Sequence, residues 1–230
     1  MTRVKICGIT NPEDAILAAN LGAQALGFIF YLRSPRSISP EAARNIVAQL
    51  PPLVLSVGVF VNEELTTVKA VAERVRLDWV QLHGEEPPEY CRELQCSVMK
   101  AIQVKDAGSL MQMRHYLGSV RAFLLDTYKS GQRGGTGIHF DWSLARQAKE
   151  YGPIVLAGGL NAENVAAAIR EAAPPAVDVA SGVEASPGRK DPDKLRAFFQ
   201  AVAAATAGQE NWPGSGPDET SRAVAEPVRR

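Results

Sequence analysis

Cys7 and Asp126 are the two side chains in this sequence best suited to moving protons. Cys7 closes the short apolar run Val4–Cys7, and Asp126 follows directly on another, Ala122–Leu125. A free thiol ionises near about pH 8.5 and a free aspartic acid near about 3.9, so the two together offer a base and an acid that an enclosed site can tune toward neutrality. Each also has a purely structural use. Cysteine packs as a small hydrophobe, and aspartate caps loop amides. Gly158-Gly159, leading into a helix entry at Asn161, and Ser181-Gly182, after a further apolar run, suggest a different chemistry. Glycine lets bare backbone N–H groups approach an anion, and a helix N-terminus adds its positive end. One such pair reads as a tight turn, but two at neighbouring strand ends read as a phosphate cradle.

Arg36 follows the stiff Ser34-Pro35 step, and its guanidinium can grip a carboxylate through two parallel N–H bonds. Arg33 is read instead as a solvated charge. His83 either lines the site or bonds loop backbone. Lys5 lies two residues before Cys7 and so shares its face on a strand. There it favours the thiolate or, as the preferred reading, pairs inside the fold with Asp178, itself a candidate binding residue. Gly134–Gly137, preceded by Lys129 and Arg133, reads as a mobile lid.

These residues need elements to hold them, and the chain supplies a steady alternation. Apolar, β-branched runs recur at Val4–Cys7, Ala25–Phe30, Val54–Phe60, Trp79–Leu82, Val98–Ile102, Ala122–Leu125, Ile154–Ala157 and Val177–Ala180. Between them lie helical spacings with entry signals: Asn11-Pro12-Glu13-Asp14, stopped at Gly22, then Ser39-Pro40-Glu41 before Ala42–Leu50. Further on come Asn62 before Leu65–Val75, Pro87-Pro88-Glu89 before Tyr90–Leu94, and Asp106 before Ala107–Leu117. The last three are Asp141 before Trp142–Glu150, Asn161 before Ala162–Ala172, and Asp191-Pro192 before Asp193–Ala205. Near-continuous apolar strands imply a parallel sheet covered on both faces. Eight strand–helix pairs in one domain, residues 1–206, therefore predict a single (β/α)8 TIM barrel, with an open doubly wound sheet as the alternative. In a barrel the candidate residues all fall at the strand C-termini, the active end. Residues 207–230 change character, with Trp212-Pro213-Gly214 followed by polar residues, and read as a disordered tail. The alternative is a docking segment anchored by Trp212.

Bulk properties narrow the field. Of 230 residues, 46% are hydrophobic and 22% charged, an ordinary globular mixture. The net formal charge of zero gives no field that would favour nucleic acid or an anionic membrane. Three cysteines without paired spacing, and only three histidines, argue against a disulfide framework and against structural zinc. No apolar run approaches a membrane span, and the first residues lack a signal-peptide profile. The expectation is a cytoplasmic enzyme with a small phosphorylated substrate, no nucleic-acid or membrane partner, and either a monomeric or a homodimeric state.

Taken in order, the motifs form one set: Lys5-Ile6-Cys7-Gly8-Ile9-Thr10, Ser34-Pro35-Arg36, Gln81-Leu82-His83-Gly84 and Leu125-Asp126. The set continues with Gly134–Gly137, Phe140-Asp141-Trp142, Ala157-Gly158-Gly159-Leu160 and Asp178-Val179-Ala180-Ser181-Gly182-Val183-Glu184. From about Arg3 to Phe199 the set resembles the phosphoribosylanthranilate isomerase family of tryptophan biosynthesis. The resemblance implies a cofactor-free and metal-free Amadori rearrangement, with Cys7 as general base and Asp126 as general acid. It further implies Arg36 on the anthranilate carboxylate, and the Gly159 and Gly182 loops on the phosphate. On this reading positive surroundings pull the Cys7 thiol down. Asn161-Ala162 has alanine where that family often has proline, which touches only helix entry. Two rivals are a histidine-pathway aminoaldose isomerase, for which the acidic loops after the third and fourth strands suit a second phosphate poorly, and a catalytically silent phosphate-binding barrel.

Overall fold

A computed structural model describes residues 1–127 and 141–207. The lid reading of Gly134–Gly137 and all but the first residue of the expected tail, Trp212 included, lie outside the described residues; Ala207 itself closes a helix. Eight parallel strands close into a barrel in sequence order: β1 (Arg3–Cys7), β2 (Ala25–Ile29), β3 (Leu55–Phe60), β4 (Trp79–Leu82), β5 (Ser97–Val104), β6 (Ala122–Thr127), β7 (Ile154–Leu156) and β8 (Ala176–Val179). Closure is made by β1 against β8, with Lys5 opposite Asp178. Outside the barrel run α1 (Pro12–Asn20), α2 (Pro40–Val47), α3 (Leu65–Val75), α4 (Pro88–Arg92), α5 (Ala107–Leu110), α6 (Ser143–Ala148), α7 (Val165–Ala172) and α8 (Pro192–Ala207).

Local signals explain most helix starts. Asn11 Oδ1 accepts the Asp14 N–H at 2.8 Å ahead of Pro12, and Ser39 Oγ accepts that of Ala42 at 3.2 Å ahead of Pro40. Asp106 and Ser109 form a reciprocal capping box at α5. Where elements differ from expectation, hydrogen bonding accounts for it. α5 is one turn long and passes into a 3-10 turn at Met111–Tyr116. α7 starts at Val165, not Ala162, because Asn161 Oδ1 takes the Glu163 and Asn164 N–H groups while Asn164 Oδ1 takes the Asn161 N–H. That closed turn delays the helix. After β8 the chain adds an unexpected antiparallel hairpin, β9 (Glu184–Ser186) and β10 (Arg189–Lys190), turning at Pro187-Gly188.

Strand side chains alternate between faces, which sorts the apolar residues into two regions. Val4, Ile6, Leu26, Phe123, Leu125 and Val177 point outward into the large core under the helices. Val57, Met99, Ala101, Ala122, Leu124 and Ala157 fill the barrel interior. On five of the eight strands the inward series ends in a polar or reactive side chain at one end: Cys7 on β1, Gln81 and then His83 from β4, Gln103 on β5, Asp126 on β6 and Asp178 on β8. No described helix is long and apolar enough to cross a membrane.

Candidate active site

Those strand ends and their loops surround a cavity of about 620 Å³. Eight of the ten candidate residues line it: Cys7, Arg36, His83, Asp126, Gly158, Gly159, Asp178 and Ser181. Asn161 and Gly182 do not. The Asn161 side chain is committed to the turn before α7, and Gly182 stands behind the wall, where a Cβ would collide with the backbone of Leu160 and Asn161. Its bare backbone lets the loops after β7 and β8 touch. Within that junction the N–H groups of Gly159, Ser181 and Gly182 reach no described protein acceptor. Arg33 also reaches the cavity wall but is exposed.

Cys7 is buried, and its place depends on Gly27, its register partner on β2. A Cβ at Gly27 would come within 2.7 Å of Cys7 Sγ and 3.2 Å of Lys5 Nζ, so the missing side chain is the space both groups use. Lys5 pairs with Asp178 at 2.7 Å inside the barrel, in line with the sequence expectation. Burial works to neutralise Lys5, but Asp178 and Cys7 outweigh it and hold the ammonium above its ordinary range. The thiol departs from expectation. Burial pushes Cys7 up, and Asp178 adds to the rise; the Lys5 and Lys190 ammoniums pull down without reversing it. Sequence proximity reveals the cation but not how dry the niche is.

Across the mouth, Asp126 Oδ1 accepts the Thr127 N–H at 2.8 Å. Oδ2 lies 3.3 Å from His83 Nε2, a close approach without hydrogen-bond alignment. His83 therefore faces the cavity rather than bonding loop backbone. Its Nδ1 sits 3.1 Å from Gln81 Nε2. Gly158, at φ 84°, closes the loop after β7 over this carboxylate, where a Cβ would overlap Thr127 and Asp126.

Arg36 is more constrained than its sequence context suggests. Gly8, at φ 76°, leaves room for the Arg36 side chain to pass over it. The guanidinium then meets Glu184: Nε is 2.9 Å from Oε1 and Nη2 is 2.7 Å from Oε2. Lys190 Nζ bonds Glu184 Oε1 at 3.0 Å and the Cys7 carbonyl at 2.6 Å. Sequence reasoning assigned Glu184, Lys190 and Gln81 no role. The Pro187-Gly188 pair is a turn signal that marks a hairpin, though nothing local indicates that Lys190 reaches residue 7, 183 positions away.

The comparisons with known proteins agree with this geometry. The family model for N-(5′-phosphoribosyl)anthranilate (PRA) isomerase matches residues 4–201. An N-(5′-phosphoribosyl)anthranilate isomerase of Citrifermentans bemidjiense is 56% identical over 196 residues, covering 85% of this chain and 94% of that one. The crystal structure of phosphoribosyl anthranilate isomerase from Thermotoga maritima matches with a TM-score of 0.84 at 47% identity, over 89% of this chain and all of that one. A phosphoribosyl anthranilate isomerase crystallised in complex with reduced 1-(o-carboxyphenylamino)-1-deoxyribulose 5-phosphate matches at TM-score 0.80 and 47% identity, with the same coverage.

Proposed function

This chain belongs to the N-(5′-phosphoribosyl)anthranilate isomerase family, and from that premise we propose how its residues divide the work. The reaction is the isomerisation of N-(5′-phosphoribosyl)anthranilate to 1-(2-carboxyphenylamino)-1-deoxyribulose 5-phosphate, a step of tryptophan biosynthesis. One observation carries the assignment: a thiol and a carboxyl on different strands border a single cavity, between an arginine and two glycine loops whose N–H groups include some with no acceptor among the described residues.

Asp126, carrying a proton, donates it to the furanose ring oxygen. The C1′–O bond breaks, and the sugar opens to a protonated Schiff base. Cys7 as thiolate then removes the proton from C2′, whose electron pair neutralises the iminium and leaves an enolamine. That enolamine tautomerises to the ketone, losing a proton from O2′ and gaining one at C1′. Burial opposes thiolate formation in the free site, so the timing matters. The positive iminium adjoins the C2′–H that Cys7 must take, and its charge lowers the cost of ionising the thiol at that stage. Lys5 and Lys190 pull in the same direction throughout. Arg36 holds the anthranilate carboxylate. Gly158, Gly159 and Ser181 present backbone to the 5′-phosphate, with Gly182 keeping their two loops in contact. His83 borders the sugar beside Asp126.

Fluorescence-monitored turnover of freshly made substrate tests the acid and base. Cys7→Ala and Asp126→Asn should each cut kcat by roughly 10²- to 10⁴-fold, the range for a positioned proton-transfer group, with KM moving far less. Near-full turnover in either variant would remove that residue from its role.

A further inference from the structure

We propose that Glu184, carried on the β9–β10 hairpin, is the positioning residue for Arg36: it occupies one edge of the guanidinium so that the adjoining edge is presented to the substrate's ring carboxylate. The proposal rests on the reading of Arg36 given above. An arginine head has five N–H donors in a rigid plane. Glu184 takes the edge formed by Nε and Nη2, at 2.9 Å and 2.7 Å, with a third approach of 3.1 Å from Nε to Oε2. The remaining donors lie at the Nη1 and Nη2 end, and Arg36 borders the cavity. A planar carboxylate fits that end through two parallel bonds.

Glu184 is itself immobilised, as an anchor must be. Its side chain is 4% exposed, against 17% for Arg36. Lys190 Nζ and the Gly188 N–H donate to Oε1 at 3.0 Å and 3.3 Å, and Lys194 Nζ donates to the Glu184 carbonyl at 2.7 Å. The hairpin is pinned in turn to the first turn of α1 and to the loop before it: the Lys190 N–H donates to Asp14 Oδ2 at 2.7 Å, and Thr10 Oγ1 to the Gly188 carbonyl. Burial would push the Glu184 carboxyl up, but Arg36 and Lys190 hold it below its usual range, so it stays an acceptor. Because Lys190 also bonds the Cys7 carbonyl, the carboxylate grip and the base are set from one hairpin. Fixing a rotamer-rich arginine before the substrate arrives removes an ordering cost from binding.

The test is a double-mutant cycle in the full chain, with kcat and KM measured for N-(5′-phosphoribosyl)anthranilate. Glu184→Gln keeps size and removes charge; it should raise KM about tenfold, the factor expected from partial loss of preorganisation, with a smaller fall in kcat. In the Arg36→Ala background the same change should add almost nothing, because the edge it organises is gone. Full additivity of the two losses, or a fall in kcat at unchanged KM, overturns the proposal and makes Glu184 a support for the fold or for Cys7. An unchanged KM in Arg36→Ala alone overturns the carboxylate reading of Arg36, and the proposal with it. If Glu184→Gln does not fold, the cycle is run with Glu184→Asp, which keeps the charge facing Lys190 but is too short to hold both Nε and Nη2.

Discussion

Gly27→Ala adds one methyl group on β2, and the structure gives its consequences. The new Cβ would lie 2.7 Å from Cys7 Sγ, 3.1 Å from Cys7 Cα and 3.2 Å from Lys5 Nζ, whereas ordinary contact begins at 3.4 Å. The sulfur is about 0.7 Å too close on those figures, and the crowding against the Cys7 backbone keeps the strands from absorbing the difference unaided. Sγ must therefore rotate or shift by a substantial fraction of an ångström, away from the position that defines its reach into the cavity. Misplacing a reacting group by about 1 Å can cost about 10²-fold, so a shift of this size should lower kcat by roughly ten- to fiftyfold. Overpacking should destabilise by about 1–3 kcal/mol, partly offset by the roughly 0.4–1 kcal/mol gained when alanine stiffens the unfolded chain. In calorimetry that net loss of roughly 0–2.6 kcal/mol is a fall in Tm of at most about 10 °C, at about 2–4 °C per kcal/mol for a domain of this size. KM should change less than kcat, because the atoms nearest the new Cβ belong to Cys7 and Lys5 rather than to Arg36 or the loops after β7 and β8. The decisive measurements are steady-state kinetics by fluorescence and the rate of Cys7 alkylation. A variant with wild-type kcat and wild-type alkylation would refute the reasoning, since the niche at Gly27 would then not be what seats the thiol.

Two further perturbations test the electrostatics. Lys5→Met removes a cation that pulls the Cys7 thiol down and leaves Asp178 unpaired to push it up, so the rise of kcat with pH should move to higher pH; a limb that stays put or moves down contradicts this. Glu86, buried against Lys100 at 2.8 Å, is pushed up by burial but held below its ordinary range by that ammonium. A depressed carboxylate contributes stability that is complete above its unfolded pKa, near about 4.3, and is lost as pH falls through the lower folded value. Denaturant titrations of Glu86→Gln should accordingly show a lower plateau at neutral pH and a flatter decline below about pH 4. An unchanged acid limb would mean that the pair does not govern it.

The strands are readable because each is a short apolar run, and Trp79–Leu82 matches its expected bounds residue for residue. β5 and β6 run past their apolar stretches to Val104 and Thr127, since a backbone ladder pairs Gln103 with Asp126 as readily as it pairs valines. The inward placement of Cys7, Asp126 and Asp178 follows from strand alternation alone. What stays hidden is long-range. The Arg36–Glu184 contact spans 148 positions, and the Lys190–Cys7 bond depends on a hairpin too short to show periodicity. The direction of the Cys7 shift is hidden for a related reason: the sequence reveals a neighbouring charge, but desolvation is a property of the assembled barrel.

Lys5 meets Asp178 across the seam where the first strand joins the last, and Lys190 reaches the Cys7 carbonyl from beyond that seam. Cys7 is thus translated long before two of its three charged neighbours, Asp178 and Lys190. A ribosome-bound chain, or a half-barrel cut between the fourth and fifth strands, can own the sulfur without owning the environment that makes it useful. Competence should arrive in one late step of biosynthesis, after almost the whole barrel has been made.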